Sequence, residues 1–420
     1  MDSSVRWKAI GSSCLGASHR QRLRDDAKLS IGVRQILARL IPVIALTLSF
    51  SAAAADRSIT RLDGTKISFT EIDAQVVRMM KAGNVSGLGV AILNRRKVAF
   101  LKAYGYRDTR TRQPLTVDSI MTSASFTKST FAYAVMQMVE DGVLDLDTPV
   151  QNYLSKPLPE FKDYELLAGD DRYKTITIRM LLNHTVGFDN LRRLNNGKIE
   201  IKFKPGSRYA YSGEGIRLLQ LVVEEVTGKP VNETMKTRIF EPFKMPRTNM
   251  TWIEDKFAAD HALPHDKENK PMALNRRMSA SAGGSMQTSI ADFSRFIEGV
   301  MRGKGLKRTT REEMFKPQVE ILSRQQFPTM STETTDANRD IRLSYGLGWG
   351  LFFTPVGKAI FKEGHDTGFQ HYSVMFDEAG SGIILMSNSD NAEGIFQGLL
   401  ETLLGNRWTP VEWEGYVSVL

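Results

Sequence analysis

The 420-residue chain has a single cysteine, Cys14. That excludes a disulfide framework, a cysteine-ligated zinc site and a thiol nucleophile held with a partner in a folded core. No apolar run approaches the ~20 residues that span a bilayer, so no stable membrane span is expected. The nearest candidate, Leu40 to Phe50, is blocked from extending backwards by Arg39. No H-E-x-x-H occurs, and His261 and His265 are separated by Pro264, which breaks the helix that would bring both to one metal. A metal site is therefore not expected. There is no G-x-S-x-G elbow around Ser212 or Ser285, no Walker loop and no dinucleotide fingerprint, so neither an α/β-hydrolase nor a phosphate-bearing cofactor is indicated, and the expected cofactor set is none. The basic cluster Arg302, Lys304, Lys307 and Arg308 has no interleaved aromatics and reads as a solvated turn; a nucleic-acid partner is not expected. Internal repeats and low-complexity tracts are absent as well.

What is present is ordinary for a folded chain: 41% hydrophobic and 25% charged residues, which excludes a disordered or polytopic membrane protein. The net charge of +9 is the unusual figure. It points either to an acidic partner or to a basic segment outside the folded unit. Basic Arg34 to Arg39, apolar Leu40 to Phe50 and small Ser51 to Ala55 follow the order of a secretory signal peptide, with a cut after Ala55 and a secreted or periplasmic product. Eight Lys/Arg and three acids precede that cut, so the leader carries five of the nine surplus charges. The remainder, 56–420, suits one two-lobed catalytic domain.

Along that remainder, Thr70 with an acid three residues on opens a helix whose apolar face is Ile72, Val76, Val77 and Met80, stopped by Gly83. Strands follow at Leu88 to Leu93 and Val98 to Tyr104, then helical periods dominate from Ser123 to Phe243. Strands return at Ser344 to Phe353, Lys358 to Lys362, His371 to Phe376 and Gly382 to Met386, before a last helix over Glu393 to Leu404. The two β-rich ends must pair in one sheet. The expected fold is α/β (α+β): an antiparallel sheet flanked by helices, about 66–120 and 285–415, plus an all-helical lobe, about 121–284.

Ser125-Phe126-Thr127-Lys128 opens a helix, and a three-residue spacing brings the Ser125 hydroxyl beside the Lys128 amine. A partly desolvated lysine loses its proton more readily and can deprotonate a serine, which is a weak nucleophile unaided. The helix N-terminus supplies N–H donors for a developing oxyanion. Alone, the same pattern also describes a capping serine with a solvated lysine. Tyr211, in a loop entering a helix, can share the proton transfer if a lysine stands near it; equally, its ring can pack at a lobe boundary. His184 reads as ordering a loop beneath the cleft, and Glu214 as an acid complementing the dipole of the helix that follows.

Taken together, Ser125-Phe126-Thr127-Lys128, Leu181 to Phe188, Tyr211-Ser212-Gly213, Gly284 to Thr288, Tyr345 to Gly350 and Gly364 to Phe369 resemble the serine β-lactamase and penicillin-binding family, in its class C-like, esterase-containing branch. The resemblance covers nearly all of residues 70 to 405. It implies an acyl-serine mechanism with Ser125 as nucleophile and Lys128 and Tyr211 as the proton-transfer pair. It places the His365 strand on the far wall of the cleft, with His365 and Gly368 binding substrate and an N–H near Gly368 joining that of Ser125 as the oxyanion hole.

Two departures bear on substrate. The loop that usually reads Tyr-x-Asn ends in Gly213, and the strand motif, usually Lys-Thr-Gly or His-x-Gly, reads as His365-Asp366-Thr367-Gly368. A neutral imidazole anchors a β-lactam carboxylate less well than an ammonium ion. The expected substrate is thus a small ester or amide, less anionic than a β-lactam. A true β-lactamase, a D-Ala-D-Ala carboxypeptidase and a weakly catalytic protein that binds cell-wall peptide are the alternatives.

Overall fold

The computed structural model describes residues 57–419. Cys14 and the basic, apolar and small-residue leader lie outside the described residues. A short antiparallel pair, β1 (Ser58–Thr60) and β2 (Lys66–Ser68), precedes helix α1 (Phe69–Ala82). The α1 cap is Ser68, whose hydroxyl accepts from the Glu71 N–H, two residues before the expected Thr70. Its buried stripe is Ile72, Val76, Met79 and Met80, while Val77, expected in the core, is 55% exposed. The 3.6-residue period explains both: with Val76 inward, Val77 is turned by ~100° toward solvent.

The hairpin β3 (Gly87–Asn94) and β4 (Lys97–Asp108) turns through Arg95 and Arg96, both at positive φ, and β5 (Gln113–Pro114) and β6 (Ile120–Thr122) follow. Helix α2 (Phe126–Glu140) leads into the helical part, with α3 (Ile178–Leu182), α4 (Gly213–Thr227), α5 (Val231–Met235) and α6 (Glu254–Phe257). Strand β7 (Gln287–Ser289) pairs back on β6, and α7 (Ile290–Met301) and α8 (Arg308–Met314) return the chain to the sheet. There β8 (Val319–Glu320), β9 (Ser344–Tyr345), β10 (Gly350–Thr354), β11 (Gly357–Asp366), β12 (Phe369–Phe376) and β13 (Ser381–Ser387) precede α9 (Glu393–Leu399) and α10 (Val411–Glu414).

The two β-rich ends do pair in one sheet, in the order β5-β4-β3-β13-β12-β11-β10-β9-β8, with every pairing antiparallel. The expected α/β fold with a large antiparallel sheet flanked by helices is thus the observed one. Two apolar layers cover its faces. One joins Leu93, Ile360, Ile384 and Met386 to α2 and α7; the other joins Val90, Phe361, Val374 and Leu385 to α1 and α9. Because the central strands are covered on both sides they read as continuous apolar runs, Ile383-Ile384-Leu385-Met386 being all fully buried. Strand β11 runs four residues beyond the expected end at Lys362, pairing with β12 out to Asp366↔Phe369. Its pairing with β10 stops at Phe361. From Lys362 onward one edge of β11 therefore has no partner strand among the described residues.

Leu385 lies at the middle of β13 with no exposure. Leu385→Ala is expected to lower unfolding stability by about 2–5 kcal/mol, read as a lower denaturant midpoint at unchanged m-value.

Candidate active site

Ser125 stands at the mouth of α2. From Ser119 to Met136 every other residue is buried, and Ser125 alone is partly open. The residue before it, Ala124, is held at φ 48, a left-handed conformation that a non-glycine residue adopts only when its surroundings impose it. Thr127 fixes that turn: its hydroxyl donates to the Ala124 carbonyl at 2.6 Å. No described residue accepts from the Ser125 N–H, which is left as a donor beside the hydroxyl.

One helical turn on, the Lys128 ammonium lies 3.0 Å from Ser125 Oγ and 2.5 Å from the Gly283 carbonyl. That carbonyl holds the lysine where Gly213 offers no side chain. A side chain at 213 has no room: a Cβ there would lie 2.7 Å from the Asn190 carbonyl. Burial brings the Lys128 pKa down to about 7, helped by repulsion from Lys362 and opposed by Glu363.

Tyr211 is brought in by the loop that Ser212 caps onto α4, the Ser212 hydroxyl accepting from the Gly215 N–H. Its ring lies 5.1 Å from Lys128 Nζ and 5.0 Å from Lys362 Nζ, and its hydroxyl accepts from Lys362 at 3.3 Å. Burial, reinforced by Glu363, pushes the phenol well above its ordinary value, so Tyr211 is a neutral phenol in the resting protein. His184, fully buried at φ 58, packs its ring 4.4 Å from that of Tyr211 and accepts the Ser212 N–H through Nδ1 at 3.2 Å. Burial and the two lysines keep His184 uncharged. Glu214 is buried and bound by the Arg192 backbone N–H and guanidinium; it supports the loop.

Sequence reasoning missed Lys362 and Glu363. Lys362 is fully buried, and its ammonium is 2.6 Å from Glu363 Oε1 as well as bonded to Tyr211. The motif Lys362-Glu363-Gly364 therefore reads as the Lys-x-Gly strand, beginning three residues before the expected His365-Asp366-Thr367-Gly368. Gly364 is the small residue the packing requires: a Cβ there would lie 3.0 Å from the Ser123 carbonyl and 3.4 Å from the Phe126 ring. Side chains alternate along a strand, so His365 turns to the opposite face from Lys362. Its Nδ1 pairs with Glu393 of α9 at 2.8 Å, which raises its pKa, and its side chain is 59% exposed. Gly368, expected beside the oxyanion, forms the β11–β12 turn at φ 72 and donates its N–H to Asp390 at 2.6 Å. His365 and Gly368 are thus not brought to Ser125, whereas Lys128 and Tyr211 are.

The three remaining described histidines are hydrogen-bonded within the fold: His261 to Gln287 and the Ala262 carbonyl, His265 to the Asn388 carbonyl, and His371 to the Thr122 carbonyl. A hollow of about 440 Å³ lined by Trp252, His261 and Arg276 shares no residue with the Ser125 group.

Comparison with known proteins identifies the family and relatives of the chain. A family model described as Beta-lactamase matches residues 72–402. The chain is 21% identical over 340 residues to penicillin-binding protein 4* of Bacillus subtilis, covering 72% of this chain and 68% of that one. It is 26% identical over 254 residues to esterase EstB of Burkholderia gladioli, covering 53% and 61%. Among solved structures, the octameric penicillin-binding protein homologue from Pyrococcus abyssi aligns with a TM-score of 0.65 at 22% identity over 81% of this chain and 80% of that one. D-alanine carboxypeptidase AmpC from Burkholderia cenocepacia aligns at 0.60 and 20% identity over 76% and 93%.

The electrostatics of the cluster are testable directly. Lys362→Met removes the ammonium that repels a proton from Lys128, so the Lys128 pKa is expected to rise above about 7. A carbon NMR titration of the lysine ε-carbons reads this shift, and a value unchanged or lower would contradict the assigned repulsion.

Proposed function

The chain belongs to the Beta-lactamase family and is a serine hydrolase of it; from that premise we propose that it is an exported enzyme cleaving ester or amide bonds through an acyl-Ser125 intermediate. The observation that carries the proposal is the Lys128 amine 3.0 Å from the partly open Ser125 hydroxyl, with a pKa brought close to neutrality. Lys128 takes the Ser125 proton as Oγ attacks the substrate carbonyl, because it is the group whose proton affinity matches the working pH. Tyr211, a neutral phenol between the two lysines, relays the proton to the departing alcohol or amine. The Ser125 N–H at the helix start stabilises the oxyanion. Water then enters the emptied leaving-group position and gives a proton to Lys128 as its oxygen attacks the acyl carbonyl; the bond to Ser125 Oγ breaks, Lys128 returns the proton to Oγ, and the acid leaves.

A second reading, β-lactam or D-Ala-D-Ala peptide turnover, is favoured by Lys362-Glu363-Gly364, since an ammonium does stand in the strand. Comparing a chromogenic cephalosporin with a short-chain p-nitrophenyl ester separates the two, and faster cephalosporin turnover would reverse the preference. Export rests on the leader's pattern alone; an N-terminus near Asp56 in the purified product is the check.

A fluorophosphonate is expected to label Ser125, seen by intact mass and peptide mapping, with no label in Ser125→Ala; a folded protein that takes no label would end the hydrolase reading. As the base must be unprotonated, kcat/KM is expected to fall as pH drops through about 7. A rate flat from pH 5 to 9 would remove Lys128 from that role.

A further inference from the structure

The β11 wall of the site carries cations, and each of them is matched by a carboxylate from the same strand or the element facing it. Lys362 is buried against Glu363, and His365 pairs with Glu393. At the open end of β11, Asp366 lies on the same strand face as Lys362 and Gly364 and binds the Arg277 guanidinium. Arg277 belongs to the loop that also delivers the Gly283 carbonyl to Lys128. This pair therefore joins the two sides of the site at its rim. Both partners are about one-third exposed, so incoming molecules meet it. Among the neighbouring open side chains, Arg276 is paired with Glu254, and apolar surface is offered by Met278, 70% exposed, and Phe327, 46% exposed, which stacks edge-on to Tyr211 at 6.0 Å.

We propose that Asp366 is a specificity-determining residue: by masking Arg277 it leaves the rim of the site without an unpaired arginine, so that the site takes uncharged acyl donors bearing an apolar group and rejects those whose acyl part carries a carboxylate. The proposal rests on the hydrolase reading above and adds a substrate class to it. Arginine remains charged throughout the working pH range. Removing the Asp366 charge therefore exposes a permanent cation at the rim, and an anionic acyl group gains an attraction it lacks in the native protein.

The test uses two esters with the same leaving group, p-nitrophenyl butyrate and the p-nitrophenyl monoester of succinic acid. The native protein is expected to favour the butyrate by about tenfold or more in kcat/KM. In Asp366→Asn the succinate-to-butyrate ratio is expected to rise by about tenfold, carried by KM of the succinate and diminished by added salt. Arg277→Gln should move the ratio the other way, since it leaves Asp366 to repel the anion. Equal use of both esters by the native protein, or a ratio unchanged in both variants, would overturn the proposal while leaving the hydrolase intact. Should either variant fail to fold, the native comparison and the other variant still decide. A folded native protein that turns over neither ester and takes no fluorophosphonate at Ser125 would overturn the hydrolase reading and this proposal with it.

Discussion

The site depends on an imbalance of charge: two lysines approach one tyrosine, and only one of them has a carboxylate. Lys362 is 2.6 Å from Glu363, whereas among the described residues Lys128 has only a carbonyl and a hydroxyl as hydrogen-bond partners. Burying an ammonium is costly unless a counter-ion accompanies it. The proton of the pair therefore stays on Lys362, and Lys128 is the one released to accept another. The rest follows from that division. A charged Lys362 favours hydrogen bonding to the phenol oxygen of Tyr211 and, through repulsion, helps keep Lys128 and His184 unprotonated.

Holding Glu363 against Lys362 is itself a feature of the sheet. Consecutive residues on a strand point to opposite faces, so adjacent side chains do not normally meet. They meet here because β10 stops pairing at Phe361, leaving an open edge around which both can bend. The space a further strand would fill is taken by aromatic rings: Tyr209, Tyr211 and Tyr345 gather around His184. Beyond them Glu414 of α10 lies buried, and burial together with the nearby Glu363 charge raises its pKa well above the usual range. Glu414 is therefore held protonated, which leaves Glu363 as the carboxylate that balances Lys362.

Most of the fold was legible because its signals are local and repeated: apolar runs for the covered central strands, helical periods between them, and β-rich ends that had to join. Ser125 and Lys128 were legible for the same reason, since Ser-x-x-Lys fixes its own geometry within one helical turn, whereas Tyr211 was picked out through the family resemblance. Lys362 was not. The apolar run Ala359-Ile360-Phe361 ends at it, so a strand boundary was drawn there, and His365 then drew attention as the next polar residue able to face the cleft. The missing signal was parity. Once Gly364 must face α2, because only glycine fits against Ser123 and Phe126, Lys362 and Asp366 share that face and His365 does not.

That parity also changes the reason for expecting a weakly anionic substrate. The sequence argument was that an imidazole replaces an ammonium, and it falls with the finding that the ammonium is present at Lys362. What replaces it is neutralisation. A cation paired with a buried carboxylate contributes little potential beyond its partner, and Arg277 at the rim is paired as well. A site is selective for charge by its net field and not by the residue types in its motif. Here the strand carries the lysine the family pattern calls for, followed by a glutamate where that pattern has a threonine, and the substitution adds a negative charge beside the very group it would otherwise leave free.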